Sequence, residues 1–544
     1  MTRDLVAAGL RLRLDPAYEA FARDVLAPGA ADLARLPGAQ VIKRNRVRTV
    51  VRLPAPGGDL FVKRFRALRP GERLLSLVRG SPARREWAAL VHLAGRGVPC
   101  PPPVLLAEER RRGLVVASVL ATRALEAEGL PERLRALRAA GARRDDLLAG
   151  LARLMRAVFA AGVDHPDLHA GNVLVRGPDE LFVLDLHSAR LRAPGAALRR
   201  RRLGRLVHSL GLFEPDDAGA AGDELAALAR AYAPLDPALG PADALADALR
   251  AEAARFEAVR LVSRDRRCLV ESTLFAVERT LGRRVWRRRE LAPEQVAALV
   301  DAPPLALLHA HPRGRSRLEL VAGPDGRPLV RKRYPLPGLA ARLEALLAPT
   351  ALRAWRAARA CEVRGVPAPR HLALVVEGTL WPTRATLLME HLEGVTMLHR
   401  LFEPGATPPA PAARRALARA LGRVLGRLHA TGLAHHDLAA QNLLVRPRGA
   451  DAWDVWVIDL DEVRRAPLDR EAKLRALTQL ADLPPGASRT DRARFFRAYL
   501  AAGGDAVLAP ELAAWGALGL GRRVAERLAA RAAAKARRAA RRAT

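Results

Sequence analysis

Two stretches decide the fold: HPDLHAGNVLVR at residues 165–176 and HHDLAAQNLLVR at 435–446. Each sets an Asp five residues before an Asn, Asp167 with Asn172 and Asp437 with Asn442. Each is followed by an apolar run ending in Asp-Leu, LFVLDLHSAR (181–190) with Asp185 and VWVIDLDEVR (455–464) with Asp459. Upstream, LFVKRF (60–65) carries Lys63 and LVRKRY (329–334) carries Lys332. Between them, RGVPCP (96–101) matches RGVPAP (364–369). Lys63 lies 104 residues before Asp167, and Lys332 lies 105 before Asp437. Landmarks that recur in one order at nearly one spacing mark a tandem duplication with a period of about 270 residues.

Rarity strengthens this. The chain holds three Asn (45, 172 and 442) and five Lys (43, 63, 332, 473 and 535) among 91 basic residues. Two of the three Asn and two of the five Lys fall at equivalent places. A Lys kept twice in an Arg-rich chain indicates a geometric need, because a compact ammonium and a planar guanidinium are not interchangeable.

The patterning predicts strands over 40–65 around a Pro-Gly-Gly-Asp turn, and a helix over 82–96 ended by Gly97 and Pro99. An amphipathic helix over 146–161 leads into the first loop, and short strands at 172–175 and 181–184 follow it. The second half repeats this with a helix over 411–430. Residues 204–258 read as helical and Pro-punctuated. Residues 266–290 read as an extra hairpin before the second repeat's main strands.

These residue types suit phosphoryl transfer from ATP. That reaction needs a Lys on the phosphates, a helix Glu to hold the Lys, an Asp to orient the attacking hydroxyl, and an Asn and a second Asp to hold metal. Lys63, Glu86 (in ARREWAAL), Asp167, Asn172 and Asp185 fill these roles in the first half. Asp167 is the candidate base and His165 supports the loop. Lys332, Asp437, Asn442 and Asp459 do so in the second, where counting from Gly-Val-Pro puts Ala354 opposite Glu86. The Lys partner is therefore expected to be missing there, with Glu344 or Glu362 as substitutes after a register shift. Neither half has a Gly-rich phosphate loop. KRNRVRTVV (43–51) and HPRGRSRLELV (311–321) stand in its place, offering Lys43, Arg44, Arg46 or Arg315.

With that set in hand, the chain resembles the bacterial lipopolysaccharide kinase family, the Kdo and heptose kinases. The resemblance rests on RREWAALVHLAGRGVPCPPPV, HPDLHAGNVLV, LLMEHLEG, HATGLAHHDLAAQNLLV and TDRARFFRAYL. It implies an α+β fold of two tandem protein-kinase-like bilobal domains, each with a β-rich N-lobe and a helical C-lobe. The expected domains span 1–255 and 256–520, the second degenerate, with a basic tail at 521–544. The cofactors implied are ATP and Mg2+, with Lys63, Glu86 and Lys332 as the nucleotide contacts. The acceptor implied is a sugar hydroxyl of a cell-envelope glycolipid. Asp-Leu-His and Asp-Leu-Asp replace the Asp-Phe-Gly of protein kinases, and no activation loop ends in Ala-Pro-Glu, which argues against a regulated protein kinase. The competing readings are a protein kinase or aminoglycoside-type phosphotransferase, and a nucleotide-binding pseudokinase scaffold.

Composition bounds the rest. The net charge of +34 favours anionic partners such as a membrane surface. The near-exclusive use of Arg also fits a coding bias, and no specific nucleic acid is expected. Three scattered Cys imply neither a disulfide framework nor a metal site. No signal peptide and no membrane-spanning run is read, so the expected location is cytoplasmic, peripheral at the inner membrane.

Overall fold

The computed structural model describes residues 2–45, 47–66, 70–177, 180–212, 220–312, 314–347, 349–379, 381–449, 451–465, 470–480, 488–504, 524, 526–530 and 533. It forms two compact units, Met1–Val259 and Arg260–Thr544. The expected boundary at 255/256 falls inside the helix Ala242–Arg266, through which the chain passes from one unit to the next. Most of the basic tail at 521–544 lies outside the described residues. Among those described, no helix is long and apolar enough to cross a membrane.

Each unit is a kinase-like fold with a seven-stranded antiparallel sheet ahead of a helical region. In the first, the sheet runs Arg3–Ala7, Leu10–Leu14, Pro103–Arg111, Leu114–Arg123, Leu60–Arg66, Arg48–Leu53, Gln40–Arg44. In the second, it runs Phe275–Thr280, Arg283–Arg288, His371–Glu377, Arg384–Glu390, Pro328–Pro335, Arg317–Ala322, Ala306–Ala310. The order is the same. The hairpin expected at 266–290 therefore belongs to the second unit's sheet, and it has a counterpart at residues 3–14 that the sequence reading passed over.

The Lys strand is an inner strand of both sheets, the fifth of seven. Lys63 pairs with Val50 on one side and Leu120 on the other. Lys332 pairs with Leu318 and Leu387. The helix Pro82–Ala94 packs against the first sheet. Its start is set by Pro82 and by the Ser81 side chain, which accepts from the Arg84 amide at 3.2 Å. Ala83, Glu86, Trp87, Ala89, Leu90 and Leu93 form its buried face, a helical repeat that leaves one carboxylate among apolar groups. Below the sheet, the helix Asp145–Ala160 buries Leu147, Leu148, Leu151, Leu154, Met155, Val158 and Phe159. It ends in the turn that delivers the 165–172 loop. The helix Pro411–Ala430 does the same in the second unit, with Gly422 and Gly426 letting the backbone of the helix Arg489–Tyr499 and the residues after it come close. A Cβ at either Gly would stand 2.3 to 2.4 Å from a backbone oxygen.

Candidate active sites

In both units the loop carrying the candidate base is held by the same bonds. Asn172 Nδ2 donates to the Asp167 carbonyl at 2.9 Å, and Asn442 Nδ2 to the Asp437 carbonyl at 2.8 Å. The backbone reciprocates, Leu184 N–H to the Asn172 carbonyl at 2.8 Å and Ile458 N–H to that of Asn442 at 3.0 Å. His165 contacts the Leu184 carbonyl through Nε2 at 3.1 Å, and His435 the Ile458 carbonyl at 2.9 Å. The Asp437 amide donates to His435 Nδ1 at 3.2 Å, which makes Nε2 the protonated nitrogen of that ring. Burial pushes His165 down to about 4. These histidines are neutral ties between the loop and the strand that follows.

Asp185 and Asp459 both have φ 56°, the left-handed region that non-Gly residues rarely adopt. The strain is carried at the same place in both copies, and at the residue expected to hold metal. A retained outlier of this kind is a mark of function.

The first site brings Lys63, Glu86 and Asp185 into contact, and Asp167 lines one cavity with Asp185. Lys63 Nζ donates to Glu86 Oε1 at 2.7 Å and to Asp185 Oδ1 at 3.3 Å. Burial works against the ammonium, but the Glu86 and Asp185 carboxylates more than offset it and raise its pKa. Burial would likewise raise Asp185. The hydrogen bond to His187, Lys63 and Arg48 together hold its carboxyl well below the usual range.

Three partners were not foreseen. Arg48 Nη1 lies 3.0 Å from each Asp185 oxygen. His187 Nδ1 lies 3.0 Å from Asp185 Oδ1. Arg205, on the helix Ala196–Leu210, hydrogen-bonds the Asp167 carboxylate and stacks over Phe256 at 4.9 Å. Glu86, Asp185 and His187 bring three potential ligand atoms within 4.8 Å of one another. The Lys63 ammonium already sits among them, so that trio is a lysine cradle. The oxygens of Asn172 and Asp185 remain the donors that suit a hard cation such as Mg2+.

The second site corrects one expectation. Lys332 does not lack a partner: its Nζ donates to Asp459 Oδ1 at 2.9 Å and to Asp461 Oδ1 at 2.9 Å. Ala354 does occupy the place of Glu86, and His371 stands where the first unit has Pro103, against Thr122 there and Met389 here. His371 is 5% exposed and its buried ring stands beside Ala354, in the space a Glu side chain would need. The missing carboxylate is replaced by Asp461, at the position of His187. Glu362 instead binds Arg288 at 2.6 Å and Arg359 at 2.8 Å, and the Glu344 side chain lies outside the described residues. Burial and the adjacent Asp459 raise Asp461, while Lys332 keeps Asp459 low. Asp437 is exposed, and among the described residues it carries no ion pair. Lys43 and Arg44 are exposed on the outer strand, Arg315 is exposed on its turn, and Arg46 lies outside the described residues.

The family model for the lipopolysaccharide kinase (Kdo/WaaP) family matches residues 75–232 and again residues 340–499, together more than half of the chain. The chain belongs to the Kdo/WaaP lipopolysaccharide kinase family. The two matches cover the base loop and the Asp-Leu of each site, so the chain holds two copies of the family's domain and is a kinase-type phosphotransferase by membership. A solved structure described as WaaP in complex with acyl carrier protein is similar at 24% identity, covering 44% of this chain and 93% of that chain, with a TM-score of 0.31. No curated protein matches the chain.

Proposed function

We propose that the chain transfers the γ-phosphoryl group of ATP to a sugar hydroxyl of a cell-envelope glycolipid, with the first domain carrying the faster transfer. The observation behind this is the Lys63–Glu86–Asp185 arrangement beside the Asp167–Asn172 loop. In this reading Lys63 steadies the phosphates. Asp167 orients the acceptor hydroxyl and receives its proton as the new oxygen–phosphorus bond forms and the bond to the ADP oxygen breaks. Asn172 and Asp185 would hold Mg2+, which supplies positive charge for the phosphate oxygens.

Lys332, Asp437, Asn442 and Asp459 take the same roles in the second domain. There, both carboxylates on the Lys come from the metal-holding loop, whereas Glu86 gives Lys63 a partner away from it. Glu86 keeps Lys63 in place when Asp185 turns to Mg2+, whereas Lys332 has, among the described residues, no carboxylate partner outside the metal-holding loop, which favours the first domain. The net charge of +34 supports contact with an anionic membrane surface at the cytoplasmic side.

The test is transfer from γ-labelled ATP to three acceptors: envelope glycolipid, an aminoglycoside, and a generic protein substrate. Label in the glycolipid alone is expected. Label only in protein or aminoglycoside overturns the acceptor assignment, and no nucleotide binding at all favours a scaffold.

A further inference from the structure

Neither domain has a glycine-rich loop over the phosphates, so something else must grip them. In the first domain the turn at that place is built by Asn45, the one asparagine outside the two base loops. Its Oδ1 accepts from the Val47 amide at 3.1 Å and the Arg48 amide at 2.7 Å, and its own amide donates to the Arg48 carbonyl at 2.9 Å. This is an Asx turn. It turns inward the amides that a glycine-rich loop would aim at phosphate.

The residue after the turn is therefore left to act through its side chain. Val50 pairs with Lys63, so Arg48, two residues away, stands on the same face of the sheet as the Lys. Its guanidinium reaches across 137 residues of sequence to both oxygens of Asp185 and is 17% exposed. Nη1 alone spans both carboxylate oxygens, and the planar fork of a guanidinium suits two phosphate oxygens.

We propose that Arg48 is the phosphate clamp of the first site. It rests on Asp185 until Mg-nucleotide arrives, then gives up that carboxylate to the metal and takes the nucleotide phosphates. This rests on the reading of the first domain as an ATP site. The exchange follows from charge: Asp185 already faces Lys63 and Arg48, and a divalent cation there displaces the arginine while the phosphates attract it. Among the described residues the second domain lacks the device. By residue count Arg317 matches Arg48, since each lies 15 residues before its Lys. The pairing says otherwise. Leu318 pairs with Lys332, so Ser316 holds the same-face position and Arg317 alternates to the other face.

The test uses the full chain carrying Asp459→Asn, which removes a metal ligand of the second site so that Mg-nucleotide binding reports the first. Dissociation constants for Mg-ATP, adenosine and Mn2+ alone are measured with Arg48, Arg48→Ala, Arg48→Lys and Asn45→Ala. Arg48→Ala is expected to weaken Mg-ATP by about tenfold or more, the worth of a charge-assisted hydrogen bond. Adenosine stays within about twofold because it has no phosphate. Mn2+ binds more tightly, because its ligand has lost a competitor. Arg48→Lys restores part of the Mg-ATP affinity, and Asn45→Ala shows a smaller loss of the same kind. Unchanged Mg-ATP affinity in Arg48→Ala overturns the clamp, and so does an equal loss of ATP and adenosine. Absence of Mg-ATP binding with Arg48 intact overturns the kinase reading of this domain and the clamp with it.

Discussion

Asp461→Ala is the sharpest probe of how the second domain rebuilt its lysine site. Lys332 and Asp461 have side chains only 13% and 15% exposed, so their 2.9 Å contact is poorly screened. Removing one partner of a buried pair costs about 3–5 kcal/mol when nothing remains. Here Asp459 stays at 2.9 Å, so the loss falls to one charge-assisted bond, about 1.5–3 kcal/mol. Relief of the repulsion between Asp459 and Asp461 trims this to roughly 1–2 kcal/mol. Hydrogen exchange of the full chain reads this locally. Peptides covering 328–335 and 453–465 should lose about tenfold in protection, while 60–66 and 181–190 stay unchanged. Adding Ala354→Glu alone should not rescue, because His371 fills the space, and His371→Pro alongside it should. Unchanged protection in Asp461→Ala, or rescue by Ala354→Glu alone, would refute the argument.

Three further outcomes follow from the geometry. Glu86→Gln leaves Lys63 with Asp185 alone and should cost the first domain about 1–3 kcal/mol with a raised KM for ATP, measured by denaturant unfolding and initial rates. Arg331 is fully buried, with Nη1 on the Leu299, Val300 and Ala302 carbonyls at 2.9, 2.9 and 2.8 Å and Nε on Glu319 at 2.8 Å. Arg331→Ala leaves Glu319 with Arg333 alone, at 3.1 Å, and takes the donor from the Leu299 and Ala302 carbonyls at a helix end, and should destabilise the second domain by about 2–4 kcal/mol in urea unfolding. Acid should act unequally. His371 and His429 are held down at about 3 by burial, and His165 at about 4. A folded pKa below the ordinary value of 6.5 means the unfolded chain takes the proton first. The stability these groups contribute is complete above pH 6.5 and drains as pH falls toward their folded values. The second domain, with two such groups and His435 also lowered, should lose exchange protection before the first between pH 6.5 and 4.

The duplication, the Lys strand, the base loop and the Asp-Leu turn were legible because each is a local motif repeated at one spacing. Glu86 was legible as the acid of the helical stretch ARREWAAL, and the count from Gly-Val-Pro set Ala354 opposite it. What sequence hid was what pairing across the fold decides. Asp461 was visible in Asp-Leu-Asp, but only as a departure from a familiar triplet. Its work depends on reaching a Lys 129 residues away, which the Ala354 and His371 exchange makes necessary. Arg48 was one Arg in a chain with 91 basic residues, and a count of positions equates it with Arg317. The loop at 323–327 is one residue shorter than that at 54–59, and a one-residue slip in a strand turns every side chain to the other face. The hairpin at 3–14 was missed because two five-residue strands give too short an alternation to stand out without a sheet edge to join.

The central claim is that the tandem sites are kinase sites and that the first carries the transfer. Label transfer from γ-labelled ATP to envelope glycolipid by the intact chain, Asp167→Ala, Asp437→Ala and the double variant tests it most directly. Loss of about 100-fold or more is expected in Asp167→Ala, the cost of removing a general base, with most activity kept in Asp437→Ala. Full activity in Asp167→Ala, or loss confined to Asp437→Ala, would contradict it.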